Sequence, residues 1–385
     1  MKNLANKVQQ ASCIVIKIGS ALLVDADTGR VRSHWIESLA KDIALLKLDG
    51  KQVVLVSSGS IAIGREILNL ASNMIKLEEK QAAAAVGQGK LVQLWAHYLA
   101  QHKITAAQIL LAPDDTETRR RHLNARATIK TLLNLGVVPV VNENDTVTTY
   151  DIRFGDNDRL AARVAGMISA DLVILLSDID GLYNTDPSLD PKATHIEEVN
   201  EITETILAMG GSANASFASG GMATKLAAGQ IATSAGADMI ICDGRHEQPL
   251  KRLLDGARAT FFHSSIEPHT ARKKWIAGTL ELAGSVTIDT GASKAISEGK
   301  SLLPAGITSV SGRFVRGDII SVRDSANHEI ARGLSNYSHL EANQLKGRKS
   351  ASFASIVGFQ GRAELIHADD LVMMNLSRED NETSK

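Results

Sequence analysis

Ser12-Cys13-Ile14-Val15-Ile16-Lys17-Ile18-Gly19-Ser20 is the stretch that decides the fold. From Cys13 to Ile18 every residue but Lys17 is apolar, and the apolar residues run consecutively. A strand with one wet face alternates apolar and polar. A continuous run rich in β-branched residues requires burial on both faces, as in a parallel sheet covered by helices. Similar runs follow at Val53–Val56, Ala107–Leu111, Val137–Val141, Leu172–Leu176, Met239–Cys242 and Thr260–Phe262. Helical spacing lies between them, in Trp35, Ile36, Leu39, Ile43 and Leu46 and again in Leu91, Leu94, Trp95 and Leu99. A third pattern, Ile129, Leu132, Leu133 and Leu135, stops at Gly136, a helix terminator. This alternation predicts an α/β domain: a doubly wound, mostly parallel sheet sandwiched by helices. Ligands of such folds lie beyond the carboxyl ends of the strands.

The character changes after about residue 265. Short alternating runs broken by glycine appear at Ser285–Asp289, Gly306–Val310, Asp318–Val322 and Glu329–Gly333. They predict a small β-rich barrel or sandwich. The expected organisation is a catalytic α/β domain over 1–265, a linker over 266–283, a β-rich module over 284–376 and a disordered tail over 377–385. Arg272-Lys273-Lys274-Trp275-Ile276 reads as linker or short helix.

Composition excludes several classes. The chain has 385 residues, 44% apolar and 22% charged, with a formal net charge of −1. No global field draws it to nucleic acid or to an anionic membrane. The amino terminus MKNLANKVQQAS lacks the apolar core of a secretory signal. No apolar run reaches the 18 or so residues that span a bilayer. Cys13 and Cys242 sit in apolar runs and read as buried, reduced thiols. A cytoplasmic location is the expectation.

Polar clusters gather at the ends of the predicted strands. Asn142-Glu143-Asn144-Asp145 and Gly155-Asp156-Asn157-Asp158 are rich in short, stiff hydrogen-bonding groups. They read either as a grip for a small polar ligand or as paired Asx turns. Neither holds the Cys or His of a zinc site. Lys17 with Gly19-Ser20 offers a point charge beside an approachable backbone, or a strand-edge lysine reaching solvent. No Walker A or GxGxxG pattern is present there. Ser57-Ser58-Gly59-Ser60 reads as a ligand-contacting turn or a plain serine-capped turn. Ser177-Asp178-Ile179-Asp180-Gly181-Leu182-Tyr183 opens a long turn-rich loop suited to a nucleotide base; it lacks the length and terminal Glu of an EF-hand. Ser219-Gly220-Gly221-Met222-Ala223-Thr224-Lys225 opens a helix. Its N–H groups suit an anion, although a cation in a first turn opposes the helix dipole.

Taken together, Lys17-x-Gly19-Ser20, Ser57-Ser58-Gly59, the paired Asn/Asp clusters, SDIDGLYNTDP and SGGMATK resemble the amino acid kinase family over nearly the whole chain. The rear module resembles a PUA domain, which points to the glutamate-phosphorylating branch. Ser219 stands where that branch more often has Thr, and the hydroxyl is kept. The resemblance implies ATP-dependent phosphorylation of the L-glutamate side-chain carboxylate, the first step of proline synthesis. It implies Lys17, Lys225 and Asp158 as catalytic residues. For substrate it implies Ser58, Asp145 and Asn157. For ATP it implies Lys17, Gly19, Ser177, Asp178, Ser219, Gly220, Gly221, Met222, Ala223, Thr224 and Lys225. Mg²⁺ would be held mainly by the nucleotide phosphates, with no protein ligand assigned. Proline as inhibitor and a homodimer or homotetramer are further implications.

Rival readings are a kinase for N-acetylglutamate or aspartate and an RNA-binding protein. The rear module and the paired clusters argue against the first. Against the second, residues 284–385 hold twelve Lys and Arg and twelve Asp and Glu, which leaves no basic stripe. Arg119-Arg120-Arg121-His122 reads as a solvated helix face or subunit contact. The small-residue run at 82–89 reads as a close-packing helix, and Trp95 and Tyr98 as core or interface.

Overall fold

The structure, a computed structural model, describes residues 2–25, 28–70, 76–148, 157–211, 221–278, 282–348, 353–358 and 361–374. The chain divides into two compact units, Met1–Pro268 and His269–Lys385.

In the first unit the strands are β1 (Cys13–Ile18), β2 (Gln52–Ser57), β3 (Ala106–Leu111), β4 (Val138–Glu143), β5 (Leu172–Ser177), β6 (Leu182–Tyr183), β7 (His195–Ile196), β8 (Glu198–Val199), β9 (Asp238–Asp243) and β10 (Ala259–Phe262). Eight of them form one sheet in the order β3-β4-β2-β1-β5-β9-β10-β8. Its pairs are parallel except β9 with β10. Each long run read from the sequence is a strand here. The two-residue strands β6, β7 and β8 were not anticipated, being too short to carry a period.

The β1 pleat sorts its side chains into two cores. Ile14, Ile16 and Ile18 join the one containing Trp35, Leu39, Leu91 and Trp95, from the helices Ser33–Leu48 and Leu77–Ala100. Cys13 and Val15 join the other, with Leu160 and Val164 of the helix Asn157–Ile168 and Leu226 and Ala228 of the helix Met222–Ser234. Both faces are therefore covered, as the consecutive apolar run requires. Alternation also gives Lys17 the parity of Cys13 and Val15. Its side chain stands on the face carrying the helices Asn157–Ile168 and Met222–Ser234. The order along the sheet reverses at β1, since β2 lies on one side of it and β5 on the other. Ligands of open α/β sheets bind outside the carboxyl ends at such a switch point.

The second unit has its own core and a five-stranded sheet, β12-β11-β13-β14-β15. The strands are β11 (Gly284–Ile288), β12 (Ile307–Gly312), β13 (Ile319–Arg323), β14 (Glu329–Leu334) and β15 (Leu371–Met373). Residues Pro268–Ala277 form a helix. The helix is held by Arg272, whose guanidinium reaches Asp370 Oδ1 from Nε at 2.8 Å and from Nη2 at 2.7 Å. Arg332 donates to the Ala277 carbonyl at 2.8 Å and to Glu329 at 2.7 Å. Strand β15 was missed because three residues beyond a long loop carry no pattern. The expected tail at 377–385 lies outside the described residues.

Candidate active site

Three charged side chains meet in the interior of the first unit. Lys17 Nζ lies 2.5 Å from Asp158 Oδ1, and Lys225 Nζ lies 3.3 Å from Asp158 Oδ2. Exposure is 6% for Lys17, 0% for Asp158 and 4% for Lys225. Each arrives on a different element: Lys17 near the end of β1, Asp158 in the first turn of the helix Asn157–Ile168, Lys225 in the first turn of the helix Met222–Ser234. Those two helices pack on the β1 face that Lys17 occupies, and so the three side chains converge. Burial by itself would raise the Asp158 carboxyl. The coulombic pull of Lys17 and Lys225 and their hydrogen bonds hold it below the usual carboxylate range. Asp158 stays ionised, and each of its oxygens holds one ammonium.

One residue before Asp158, Asn157 enters a network of amides and hydroxyls. Its Nδ2 donates to Ser58 Oγ at 2.8 Å and to Asn142 Oδ1 at 2.9 Å. Asn142 Nδ2 donates to Gln88 Oε1 at 2.7 Å and to Ser60 Oγ at 3.2 Å. Ser60 Oγ in turn lies 3.5 Å from Asp145 Oδ2. The two Asn/Asp clusters are thus joined: Asn142 and Asp145 of the first connect to Asn157 of the second.

Asn142, Ser60 and Gln88 were not among the candidates. Asn142 lay in a cluster already singled out. Gln88 lay in the small-residue run at 82–89, whose packing role is borne out. A Cβ on Gly87 would fall 1.8 Å from the Ser60 carbonyl oxygen, and one on Gly64 1.8 Å from that of Ala83. The helices Ser60–Ile67 and Leu77–Ala100 therefore touch backbone to backbone. That contact brings Gln88 within reach of Asn142, and a side chain at either glycine would push the helices apart. Nearby, the buried Trp95 donates from Nε1 to Ser57 Oγ at 3.1 Å, a core role with a polar tip at the strand end.

On the far side of the switch point, β5 ends in Ser177, whose hydroxyl donates to Asp178 at 3.0 Å. Asp178 is exposed. The following loop is fixed from below. Thr260 Oγ1 accepts from Leu182 N at 2.7 Å and donates to the Ile196 carbonyl at 2.6 Å. Gly181 has φ +150°, and a Cβ there would sit 2.3 Å from His195 Nε2. Only glycine fits that turn.

Gly221 caps the helix Met222–Ser234, and Met222, Ala223 and Thr224 form its first turn. The Thr224 hydroxyl turns back to the Gly221 carbonyl at 2.7 Å. A Cβ on Gly19 would come 3.8 Å from Lys17 Nζ, so the backbone there lies close to the ammonium. Ser219, Gly220, Gly155 and Asp156 lie outside the described residues. Among the described residues no group of three or more His, Cys, Asp or Glu side chains is arranged to hold a metal. No helix among them is long and apolar enough to cross a membrane. Both cysteines are buried and unbridged, and burial pushes each thiol up to about 12.

A parallel sheet with two buried lysines and an anion-ready helix start at its switch point defines a phosphoryl-handling α/β protein. The amino acid kinase family model matches residues 12–243, well over half the chain, and the chain belongs to the amino acid kinase family. A PUA domain model matches residues 284–357. Glutamate 5-kinase of Paramagnetospirillum magneticum is 54% identical over 363 residues, 94% of this chain and 98% of that protein. Glutamate 5-kinase of Sinorhizobium fredii is 56% identical over 360 residues, 94% of this chain and 91% of that protein. Among solved structures, UMP kinase from Ureaplasma parvum aligns with a TM-score of 0.47 at 16% identity, over 66% of this chain and 99% of that one.

Proposed function

We propose that this chain transfers the γ-phosphoryl group of ATP to the side-chain carboxylate of L-glutamate, giving L-glutamyl 5-phosphate, the first step of proline biosynthesis. The observation that carries this reading is the buried Lys17–Asp158–Lys225 trio beside the Asn157–Ser58 network. A carboxylate nucleophile is ionised at neutral pH and needs no general base. What the reaction needs is alignment and positive charge around a loose phosphoryl transition state.

A glutamate carboxylate oxygen forms the new bond to phosphorus as the bond to the β-phosphate oxygen breaks, and ADP leaves with the electron pair. Lys17 and Lys225 contact the phosphoryl oxygens from two sides. Asp158 holds both ammonium groups in place and takes no proton. Asp145, Ser58 and Asn157 bind glutamate, with Asp145 toward the α-ammonium. Ser177, Asp178, Gly19 and the segment from Ser219 to Lys225 hold ATP, the helix start at Gly221 receiving phosphate. Mg²⁺, when bound, neutralises phosphate charge. The two ammonium groups here offer a metal no lone pair, so its ligands would come mainly from the phosphates themselves.

Proline acts as a feedback inhibitor by disturbing the glutamate end of the site around residues 142–158. The chain works in the cytoplasm as a dimer or tetramer. The C-terminal unit, whose residues 284–385 carry as many acidic as basic side chains, serves assembly or regulation rather than RNA binding.

Trapping the acyl phosphate with hydroxylamine tests the reaction, with glutamate, N-acetylglutamate and aspartate compared in the presence and absence of proline. ATP-dependent hydroxamate from glutamate is the expected result. Its absence, or faster formation from either other acid, overturns the reading.

A further inference from the structure

The hydrogen-bond network at the glutamate end has a direction, set at its Asp145 terminus. A carboxylate accepts and does not donate. Ser60 has one hydroxyl hydrogen, and in the contact with Asp145 at 3.5 Å it gives that hydrogen away. Toward Asn142 it is then only an acceptor, so Asn142 presents Nδ2 to it rather than Oδ1. The second Asn142 N–H goes to Gln88 Oε1 at 2.7 Å. Asn142 Oδ1 accordingly faces Asn157 and accepts from Nδ2. Asn157 spends its other N–H on Ser58 Oγ. Both hydrogens of the Asn157 amide are consumed, and its carbonyl oxygen is what remains for a ligand. Ser58, having accepted, keeps its own O–H to give.

These directions sort the substrate's polar groups. Asn157 Oδ1 meets a donor and Ser58 meets an acceptor. On the glutamate molecule the donor is the α-ammonium, and the acceptors are its carboxylates. We infer that Gln88 is a positioning residue for substrate recognition: by accepting from Asn142 it keeps the Asn157 carbonyl oxygen turned toward the α-ammonium. Gln88 is 7% exposed, and its Nε2 has no hydrogen-bond partner among the described residues. A buried amide that leaves its donor unused is poor as a structural element. Its retained function is the acceptor. The inference rests on the proposed glutamate reaction and adds the orientation of the amino acid within it.

The test compares wild type, Gln88→Met and Gln88→Glu by steady-state kinetics, with glutamate and with glutarate, which lacks the ammonium. Met matches the length but accepts no comparable hydrogen bond, whereas a Glu carboxyl keeps an accepting oxygen in either protonation state. Gln88→Met should raise the KM for glutamate by about tenfold, the worth of one directed hydrogen bond. Its KM for ATP should stay within about twofold of wild type, which also reports an intact fold. The preference for glutamate over glutarate should shrink by a similar factor, and Gln88→Glu should recover most of both. Unchanged kinetics in Gln88→Met, a parallel rise in both KM values, or an unaltered glutarate preference overturns the inference alone. A wild-type enzyme silent on glutamate overturns the proposed reaction and the inference with it.

Discussion

Each unit of this chain buries a charged cluster, and the two are built differently. In the catalytic unit one carboxylate serves two lysines, Lys17 at Oδ1 and Lys225 at Oδ2. Within that trio cations outnumber anions by one. In the C-terminal unit Arg272 meets Asp370, and two guanidinium nitrogens converge on a single carboxylate oxygen. A planar guanidinium fixes its partner's geometry, whereas an ammonium on a four-carbon stem is a point charge that can follow a moving anion. The planar guanidinium on Asp370 suits a staple between a helix and a strand's approach. Two ammonium groups held by one carboxylate suit the phosphate-binding role proposed above. Burial alone would not separate the two roles; the choice of cation does.

The sharpest way to break this comparison is to remove a cation from the trio. Lys17→Ala and Lys225→Ala should each lower kcat by about 10²–10³-fold, as expected for a preorganised charge aimed at a transition state. Asp158→Asn should also lower turnover although it removes no base, because it releases both ammonium groups. Near-normal turnover of Lys225→Ala in the hydroxylamine assay would sink the assignment.

In the C-terminal unit the expected loss is of stability rather than rate. Arg272→Ala leaves the Asp370 carboxylate largely buried without its guanidinium, a change that typically destabilises by roughly 3 kcal/mol or more. Replacing both partners, as Arg272→Met with Asp370→Leu, should restore much of that. Denaturant unfolding would measure both, alongside kcat per folded enzyme. A fall in kcat with unchanged unfolding would assign the pair to chemistry and erase the contrast.

Much of this was legible because it depends on local pattern. Consecutive apolar residues in Cys13–Ile18 announced a two-faced strand, and the pleat then dictates which face Lys17 takes. The glycine-rich segment before Met222 announced a helix start, and Gly221 is its cap. Gln88 was invisible for a physical reason. Its partner Asn142 is 54 positions away, and the contact exists because Gly64 and Gly87 let two helix backbones touch. No periodicity encodes that meeting. Arg272 was hidden in a basic run that read as linker or short helix, and its partner Asp370 lies 98 residues on. Thr260 sat in a strand run and gave no sign of the loop it holds.

A third buried carboxylate sharpens the comparison with the smallest effect. Asp42 is almost fully buried and accepts from the backbone N–H groups of Leu250 at 2.8 Å and Lys251 at 3.2 Å, capping the helix Pro249–Leu254. Burial outweighs those bonds and pushes its carboxyl up to about 6 from an ordinary 3.8, whereas Asp158, held by two lysines, goes down. The signs of the pH dependence are therefore opposite. A raised carboxyl binds more proton folded than unfolded between about pH 4 and pH 6, so the stability it contributes is complete at low pH and is lost as pH rises through that window. A depressed carboxyl contributes stability above its unfolded value and loses it as pH falls. Asp42→Asn keeps an accepting oxygen for the helix and removes the titration. Unfolding midpoints measured from pH 4 to pH 7 should decline less steeply in Asp42→Asn than in wild type, a difference on the order of 1–2 kcal/mol across the window. Identical slopes would mean that the two backbone hydrogen bonds offset the burial of Asp42 in full.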